Sequence, residues 1–330
     1  MSFDKNYSSL VQVVEQLGGK PGRVDASTVT PMLAENGTER DLDRAGCTFE
    51  LKLDGVRILA ERDGANVRLF YRSSREVTGT YPEVVAALLE VPFDRFVIDG
   101  EIVALDGEGR PSFEQLQSRM HASPEAAKKL VHVQPAVYLV FDVLEIGGID
   151  LRNVPLAGRR EIVKVIVDDG GSVVSRLDGV DGSGRSLYEM CKEKGLEGVM
   201  AKRLDSLYLP GERSFAWCKI KLATEDDFVV VAFVAGTHSR SKLGSLEVAA
   251  RLPSGELIPR GRVGSGISGP KSKELYELFM PIAVREPQLA VPARHDRTWV
   301  QPVHVARVRY TIILREGTLR HPVFVGLKER

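Results

Sequence analysis

The sequence predicts an α+β protein of two domains, and three observations lead to that fold class. The chain has 330 residues, more than one domain of ordinary size contains. Between residues 47 and 103, short apolar or alternating runs are separated by Asp-Gly dipeptides, which are typical of β-hairpins. Past residue 221 the pattern changes to short strands with a single helix. We therefore predict a peripheral segment at 1–27, a first domain at 28–221 and a second domain at 222–330.

The elements of the first domain follow from apolar periodicity and from local start and stop signals. A short amphipathic helix around 8–17 precedes a Gly/Pro break in the peripheral segment. Strands are predicted at 49–53, 57–62, 65–70, 95–105, 136–144, 199–203 and 217–221. Helices are predicted at 81–89, within 112–130, at 159–167 and, after a polar Gly/Ser loop, up to residue 194. Ser112 and Ser123-Pro124 supply the start signals within 112–130.

The second domain is predicted to be a small barrel. Strands are expected at 228–234, 245–251, 257–263 and 303–313, with one helix at 271–280. Several short strands plus one helix in about 110 residues fit a five-stranded Greek-key barrel of the OB type. The string GSGISG at 264–269 satisfies G-x-G-x-x-G, but a proline follows it and no βαβ unit surrounds it. We interpret that string as a barrel loop.

The composition is that of an ordinary globular protein in a reducing compartment. Hydrophobic residues make up 43% and charged residues 27%, which excludes collagen, a coiled-coil rod and a mostly disordered chain. The longest central apolar stretch without charge, 228–239, is too short to span a membrane, and the first residues lack a secretory h-region. Cys47, Cys191 and Cys218 form no C-x-x-C pair. We expect a cytoplasmic protein without membrane association or a disulfide framework.

The zero net charge hides an asymmetry between the two predicted domains. Residues 1–221 carry 29 Lys and Arg against 34 Asp and Glu, whereas residues 222–330 carry 16 against 11. A basic second domain is compatible with contacts to a phosphate backbone, and an ordinary mixed surface explains the same balance.

The first candidate site is the string ELKLDGVR at 50–57. It places Lys52 at the end of a strand, just before a tight turn, with Arg57 nearby. A lysine amine is a nucleophile only when neutral, so its pKa must fall through burial or neighbouring cations. The product of such a lysine is a Schiff base or, with a nucleotide, a phosphoramidate. The alternative is an exposed lysine on a hairpin, paired with Glu50 or Asp54.

Two further strings carry carboxylates next to glycines and apolar residues. FVIDGEIV at 96–103 contains Asp99 and Glu101, and LEGVMAKR at 196–203 contains Glu197. Two such carboxylates could hold Mg²⁺, which prefers oxygen ligands and keeps several waters. The alternative is that Asp99-Gly100 is a plain hairpin turn and that Glu197 is a solvated surface residue.

The last string, WCKIK at 217–221, sends Lys219 and Lys221 to one face of a strand. Two ammonium groups on one face repel each other unless an anion such as a triphosphate lies between them. The alternative is a solvent-facing edge strand protected by lysines. No G-x-x-x-x-G-K-[ST] string occurs, so a nucleotide would not be held by a P-loop.

In chain order these strings resemble the motifs of the covalent nucleotidyltransferases, the DNA and RNA ligases and mRNA-capping enzymes. The sequence is most similar to the ATP-dependent DNA ligases of the bacterial end-joining type. Residues 52–57 match K-x-D-G-x-R, 99–101 match D-G-E, 197–202 match E-G-x-x-x-K, 219–221 match K-x-K, and 319–324 resemble the start of the final motif. The strings PMLA at 31–34 and LDSLYLPG at 204–211 also look bacterial. The resemblance covers about residues 30–328.

The resemblance implies a fold, a cofactor set and site residues. The first domain would be a nucleotidyltransferase (adenylation) domain of antiparallel sheets with flanking helices, followed by the OB-fold barrel. Lys52 would be the nucleophile, with Asp54 helping the 3′-hydroxyl in the last step. Mg²⁺, or Mn²⁺ as an alternative, would lie near Glu101 and Glu197. ATP would be bound by Glu50, Arg57, Arg72, Glu101, Phe141, Lys202, Lys219, Lys221, Arg320 and Lys328.

The end of the chain departs from the family pattern. The final motif of the family closes with R-x-D-K, whereas this sequence has Lys328, Glu329 and Arg330 at the corresponding positions. Lysine cannot reproduce the bidentate guanidinium contact of arginine with phosphate. We expect the change to lower the efficiency of self-adenylylation without excluding it.

The resemblance also implies a reaction and partners. The expected activity is sealing of 5′-phosphate/3′-hydroxyl nicks in double-stranded DNA by a monomer acting at the bacterial nucleoid. A Ku-like end-binding protein or a repair polymerase would be its partner. The first alternative is an RNA ligase or a GTP-dependent capping enzyme. The second is a non-catalytic OB-type nucleic-acid binder with a degenerate transferase domain.

Overall fold

The computed structural model describes residues 7–105, 107, 109, 111–167, 170–222, 224–236, 243–267, 269–292, 295–314 and 316–328. Side chains are described from residue 12 onward, apart from residue 114. The chain forms two compact units, unit 1 (Met1–Lys221) and unit 2 (Leu222–Arg330). No described helix has the length and apolarity that a membrane crossing requires.

Unit 1 consists of strands with helices around them. Its strands are β1 (Lys20–Pro21), β2 (Leu33–Asn36), β3 (Cys47–Leu51), β4 (Val56–Asp63), β5 (Asn66–Tyr71), β6 (Arg95–Ala104), β7 (Ala136–Ile146), β8 (Ile149–Asp150), β9 (Val174–Arg176), β10 (Val180–Asp181), β11 (Gly198–Arg203) and β12 (Arg213–Lys221). Its helices are α1 (Tyr7–Gln16), α2 (Pro82–Leu89), α3 (Phe113–Met120), α4 (Pro124–Leu130), α5 (Leu156–Ile166) and α6 (Arg185–Lys194), with 3₁₀ turns at Glu39–Asp43 and Thr78–Thr80. The two predicted start signals are confirmed, since Ser112 and Ser123 cap α3 and α4 through their side chains.

The strands of unit 1 form two sheets. The larger sheet has the order β1-β8-β7-β6-β4-β5, with β9 beside β7, and the smaller has the order β10-β3-β11-β12-β2. Pairing is antiparallel except for β7 with β9 and β12 with β2. Buried apolar side chains such as Ile58, Phe96, Tyr138 and Ile162 pack into the main core. Both sheets contribute residues to the candidate site.

The N-terminal segment, predicted as peripheral, buries Val14, Val24 and Ala26 in unit 1. The backbone N–H of Val24 donates to Glu145 and that of Ala26 donates to Glu61. Both carboxylates also accept hydrogen bonds from Arg95, at 2.7–3.1 Å. This buried ion network fixes the segment to strands β4, β6 and β7.

The prediction of a turn at Asp99-Gly100 is wrong, because both residues lie in the middle of β6. A Cβ atom at residue 100 would lie 2.5 Å from the Leu139 carbonyl oxygen and 2.6 Å from the ring of Tyr138. Glycine is therefore needed for close packing of β6 on β7, and not for a turn. The predicted hairpin between β4 and β5 is confirmed and turns at Gly64, with φ +62°. Asp106, part of another predicted turn, lies outside the described residues.

Unit 2 is a single sheet with one main helix. Its strands are β13 (Thr224–Ala235), β14 (Leu243–Arg251), β15 (Leu257–Val263), β16 (Ala283–Val284), β17 (Arg297–Val300), β18 (Val305–Tyr310) and β19 (Val323–Leu327), with helix α7 (Gly269–Phe279) and a 3₁₀ turn at Met280–Ile282. The order is β15-β14-β13-β17-β16, and β13 also pairs with β18, which pairs with β19. Phe228, Leu246, Leu275 and Phe324 lie in its core.

The strand count of unit 2 differs from the prediction. The described part of unit 2 contains seven strands where five were expected, because β16, β17 and β19 are short and lie outside the predicted strand ranges. An isolated bridge pairs Ser265, just past β15, with Val323 in β19. In the described part of the chain no fully closed ladder of strands is formed, but the arrangement is consistent with an OB fold. The described part of the GSGISG string connects β15 to α7, as predicted for a loop.

Candidate active site

A cavity of about 570 Å³ in unit 1 collects most of the predicted site residues. Its volume is in the range of cavities that bind small molecules. The smaller sheet contributes side chains that lie in its strands or directly after them: Glu50, Lys52, Lys202, Lys219 and Lys221. The larger sheet and its adjoining loops contribute Arg57, Arg72, Glu101 and Phe141.

Lys52 follows the last residue of β3 and points to a carboxylate. Its Nζ lies 2.5 Å from Oε2 of Glu197, and the Glu197 side chain is 8% exposed. The backbone N–H of Lys52 donates to the Gly198 carbonyl at 2.9 Å, which holds the two segments together. The alternative of an exposed hairpin lysine paired with Glu50 or Asp54 is therefore wrong, and Glu197 is not a solvated surface residue.

Gly198 explains how Glu197 is presented to Lys52. Its φ is +139°, and a Cβ atom there would lie 2.2 Å from the Ile220 carbonyl oxygen. Only glycine fits this combination of backbone conformation and close contact with β12. Gly55 has an equivalent role on the other side of Lys52, because a Cβ there would lie 2.2 Å from the Ile102 carbonyl oxygen.

Arg57 is held by a buried carboxylate at the wall of the cavity. Its Nε and Nη2 donate to the two oxygens of Asp99 at 2.9 and 2.6 Å, and Tyr208 also donates to Asp99 at 2.6 Å. The guanidinium carbon of Arg57 lies 5.4 Å from the ring centroid of Phe141. Asp99 therefore orients Arg57, while Arg57 still lines the cavity.

Glu101 is a buried acid among several charges. Burial raises the pKa of its carboxyl to about 8, against the opposing effect of Arg57 and Lys52; Asp99 and Glu197 raise it further. Carboxylates that repel each other in this way suit a divalent cation, which would stabilise their charged forms. No cluster of three or more metal-ligating side chains occurs among the described residues. A Mg²⁺ ion here would therefore take its remaining ligands from nucleotide phosphates and water.

Glu50 and Lys202 form a buried pair at the aromatic side of the cavity. Lys202 Nζ lies 2.6 Å from Glu50 Oε2, and the two side chains are 2% and 1% exposed. At this distance Lys202 and Oε2 of Glu50 form an ion pair, whereas Oε1 of Glu50 has no hydrogen-bond partner among the described residues. Burial raises the pKa of the Glu50 carboxyl, and Lys202 opposes that effect. Oε1 of Glu50 thus remains available as an acceptor for a bound base.

Two aromatic rings lie beside this pair. Lys202 Nζ is 4.0 Å from the ring centroid of Phe141 and 4.4 Å from that of Trp217. The two rings meet edge to face, with centroids 6.2 Å apart. An ammonium over aromatic faces is stabilised by their quadrupoles. Phe141, predicted to stack on the base, lines the same cavity as Glu50.

Several side chains that line the cavity are cations. Arg72, Lys219 and Lys221 line it as predicted candidates, and Lys221 Nζ lies 3.5 Å from Glu197. Burial, and then the nearby cations Arg213, Lys221 and Lys52, lower the pKa of Lys219. Such crowding is stabilised by an anion between the cations. The edge-strand alternative is wrong, since β12 pairs with both β11 and β2.

Asp54 contacts the start of helix α3. Its Oδ2 accepts a hydrogen bond of 3.1 Å from the backbone N–H of Phe113, the first residue of α3. This contact stabilises the start of a helix, where negative charge is favourable. The catalytic role of Asp54 stays a prediction.

The two candidates near the end of the chain belong to unit 2. The backbone of Arg320 exchanges hydrogen bonds with Thr311 and Ile312. Lys328 Nζ lies 2.8 Å from Oδ2 of Asp227, whose other oxygen accepts from Arg307 at 3.0 Å. Glu329 and Arg330, the other departures from the family pattern, lie outside the described residues.

Sequence reasoning missed several residues of the cavity. Five residues line the cavity that were not predicted as site residues: Arg75, Leu177, Met200, Arg213 and Trp217. Trp217 stands two positions before Lys219, so strand alternation could have placed it on the cavity face. Arg213 lies beyond an irregular stretch of β12 between Ser214 and Cys218, so alternation does not predict its position. Leu177 has no such signal, because its position depends on the pairing of β9 with β7.

Comparison with known proteins identifies the family to which the chain belongs. The family described as "ATP dependent DNA ligase domain" matches residues 31–221, and "ATP dependent DNA ligase C terminal region" matches residues 239–330. The chain belongs to the ATP-dependent DNA ligase family. Membership confirms the predicted family. It does not favour an RNA ligase, a capping enzyme or a non-catalytic binder.

Relatives of the ligase include longer proteins. The multifunctional non-homologous end joining protein LigD of Mycolicibacterium smegmatis is 33% identical over 303 residues, which are 90% of the ligase and 38% of that protein. LigD of Mycobacterium tuberculosis is 35% identical over 305 residues, covering 91% and 38%. A DNA ligase of Thermococcus onnurineus is 33% identical over 322 residues, covering 91% and 55%. The ligase thus spans less than two thirds of each relative.

Solved structures support the fold class. The crystal structure of the ligase domain of M. tuberculosis LigD is 32% identical to the ligase, with a TM-score of 0.55 and coverage of 92% and 96%. A structure of mycobacterial DNA ligase D complexed with ATP and MES has the same identity and TM-score. A Lig E DNA ligase, 18% identical with a TM-score of 0.63 and coverage of 93% and 100%, supports the fold alone. The predicted α+β nucleotidyltransferase fold is confirmed.

Proposed function

We propose that the ligase seals 5′-phosphate/3′-hydroxyl nicks in double-stranded DNA through a covalent Lys52–AMP intermediate and AMP–DNA. The observation that carries the proposal is the position of Lys52. Its Nζ lies 2.5 Å from Glu197, at a cavity whose lining combines buried carboxylates with several cations. A nucleotide needs both, since its base carries hydrogen-bond donors and its phosphates carry negative charge.

In the first step Lys52 Nζ attacks the α-phosphorus of ATP and pyrophosphate leaves. Attack requires the neutral amine, so the proton shared with Glu197 must leave Nζ before the N–P bond forms, and Glu197 is positioned to accept it. Arg72, Lys219 and Lys221 line the cavity and would stabilise charge on the phosphates. Positioning and charge neutralisation supply the rate in such transfers.

Adenine would lie against Phe141 with its amino group directed to Glu50. Oε1 of Glu50 accepts no hydrogen bond from the described residues, which supports this assignment. Lys202 would support Glu50 in its charged form. Glu101 and Glu197 would hold Mg²⁺, or Mn²⁺ as the alternative, and the ion would neutralise charge on the phosphate oxygens.

In the later steps AMP passes from Lys52 to the 5′-phosphate of the nick, and the 3′-hydroxyl then displaces it. Asp54 is proposed to orient or deprotonate that hydroxyl. Arg57 is proposed to contact the nucleotide from its place beside Asp99, and Arg320 and Lys328 of unit 2 to contact the triphosphate in the first step. Replacement of the motif arginine by Lys328 should slow that step.

The proposed setting is DNA end joining in the bacterial nucleoid. The names of the LigD relatives and the nucleotide site support it. The excess of Lys and Arg over Asp and Glu in residues 222–330, 16 against 11, suits contact with a DNA backbone independent of sequence. A Ku-like end-binding protein or a repair polymerase would bring a monomeric ligase to its nicks.

The test is sealing of a labelled duplex with a single 5′-phosphorylated nick. We expect sealing with ATP and Mg²⁺, no sealing with GTP or NAD, and faster sealing of DNA strands than of the same nick in RNA. Sealing that prefers an RNA nick, or that requires GTP, would contradict the proposal. Replacement of Mg²⁺ by Mn²⁺ tests the alternative ion.

A further inference from the structure

Phe215 differs from every other described aromatic side chain in its exposure. It is 61% exposed, whereas the remaining Phe, Tyr and Trp side chains that the structure describes are buried or half-buried. It lies in β12, six residues before Lys221 in the strand that carries the cavity lysines. An exposed aromatic ring therefore lies on the same strand as the cavity lysines.

A bulge in β12 turns Phe215 outward. Ser214 pairs with Ala34 and Cys218 with Glu35, so Phe215, Ala216 and Trp217 have no counterpart on β2. Bulges near active sites commonly redirect a side chain. Here Trp217 lies in the cavity wall, where it is 1% exposed, and Phe215 is left in solvent.

The bulge is held in place by side chains. Nη1 of Arg44 donates a hydrogen bond to the carbonyl oxygen of Phe215 and lies 3.6 Å from Sγ of Cys218. The backbone N–H of Ala216 donates to Oγ of Ser214 at 3.2 Å. These contacts stabilise the strand conformation in which Phe215 is exposed.

The surroundings of Phe215 are cationic. Arg213, two residues before it, and Lys219, four residues after it, both line the cavity that contains Lys52. Nη1 of Arg213 donates to the Ala34 carbonyl at 2.5 Å, which fixes this arginine beside the bulge. An exposed apolar ring on a strand that also carries cations suits a polyanion with apolar faces, and nucleic acid combines phosphates with stackable bases. A protein partner would require a larger apolar patch.

We propose that Phe215 packs against the sugars and bases of the nicked DNA next to the reacting 5′-phosphate, while Arg213 contacts the backbone phosphates. The inference rests on the proposed function and adds a DNA contact to it. Phe215 lies outside the set of residues that line the nucleotide cavity, so it should affect DNA binding and leave self-adenylylation unchanged.

The test compares Phe215→Ala, Phe215→Trp and the wild type. Dissociation constants for a nicked duplex are measured by fluorescence anisotropy over a range of salt concentrations, and adduct formation with ATP is followed by intact mass. Val133→Ala is the matched control, because Val133 is an apolar residue of unit 1 that is 75% exposed.

We expect Phe215→Ala to lose about tenfold or more in affinity for the duplex, with an unchanged salt slope. Phe215→Trp and Val133→Ala should bind like the wild type. The two Phe215 variants and Val133→Ala should form the ATP adduct at the wild-type rate. Arg213→Ala should reduce the salt slope.

Unchanged DNA affinity of Phe215→Ala would overturn the inference, and so would a parallel loss of adduct formation, which would assign Phe215 to the nucleotide site. A sealing defect of Phe215→Ala that appears only when an end-binding protein is added would assign it to a protein interface instead. Failure of the proposed function is distinguishable, because it would be seen as absence of adduct and of sealing in the wild type.

Discussion

Lys52→Ala should fail to seal a 5′-phosphorylated nick with ATP and should still seal a nick whose 5′ end already carries AMP. Only the first two steps require a covalent bond to Lys52, whereas the 3′-hydroxyl displaces AMP from DNA without it. We expect a loss of about a thousandfold or more on the phosphorylated nick, because the nucleophile itself is removed. The measurement is the rate of sealing of the two labelled duplexes at equal enzyme concentration.

The control for Lys52 is another lysine of unit 1 that is paired with a glutamate. Lys192 Nζ lies 2.9 Å from Glu189 on the surface of α6, and the Lys192 side chain is 45% exposed. Lys192→Ala should seal both duplexes at the wild-type rate. Sealing of the phosphorylated nick by Lys52→Ala would show that another residue is the nucleophile. Loss of both activities would show that Lys52 is needed for more than the formation of the adduct.

Lys202→Met should destabilise unit 1 by about 3–5 kcal/mol near pH 8, because it leaves Glu50 buried without its counterion. Burial already raises the pKa of Glu50, with Lys202 and Arg160 opposing the effect and Asp142 adding to it. A carboxyl whose pKa is higher in the folded state binds more protons when folded, so stability falls as pH rises above its unfolded pKa of about 4.3. The penalty should therefore shrink towards about pH 5. Urea unfolding at the two pH values measures it.

The double variant Glu50→Gln/Lys202→Met is the control for that pH dependence. It removes both charges, so its stability relative to the wild type should change much less between the two pH values. Lys202→Met should also form the ATP adduct about tenfold or more slowly, because a protonated Glu50 is a poorer acceptor for the adenine amino group. A destabilisation of Lys202→Met that is the same at both pH values would contradict a charged Glu50 in the folded ligase.

Local sequence signals predicted most elements because strands and helices here follow their periodicities closely. The strand expected at 257–263 is β15 itself, and the helix expected at 81–89 is α2, which begins one residue later and ends at the predicted residue. Elements without a strong local pattern were missed. β17 and β9 are short, and each is stabilised by pairing with a strand far away in the sequence.

The site residues were predictable where several reactive or charged side chains stand close together in one short string. Lys52, Glu101 and Glu197 occur in compact strings. In unit 1, Lys52 and Glu101 line the cavity, and Glu197 lies 2.5 Å from Lys52 Nζ. The partners of these residues were not predictable, because they come from distant strands. The bond of Arg57 to Asp99 and the pair of Lys202 with Glu50 depend on strand pairing that no local pattern encodes.

Intact mass spectrometry after incubation with Mg²⁺ and ATP, GTP or NAD tests the central claim most directly. The protein is first treated with pyrophosphate, which removes any AMP acquired before purification. We predict the addition of one AMP from ATP alone, located on the peptide that contains Lys52 and absent from Lys52→Ala. An adduct that persists in Lys52→Ala, an added GMP, or no adduct with any of the three nucleotides would contradict the account.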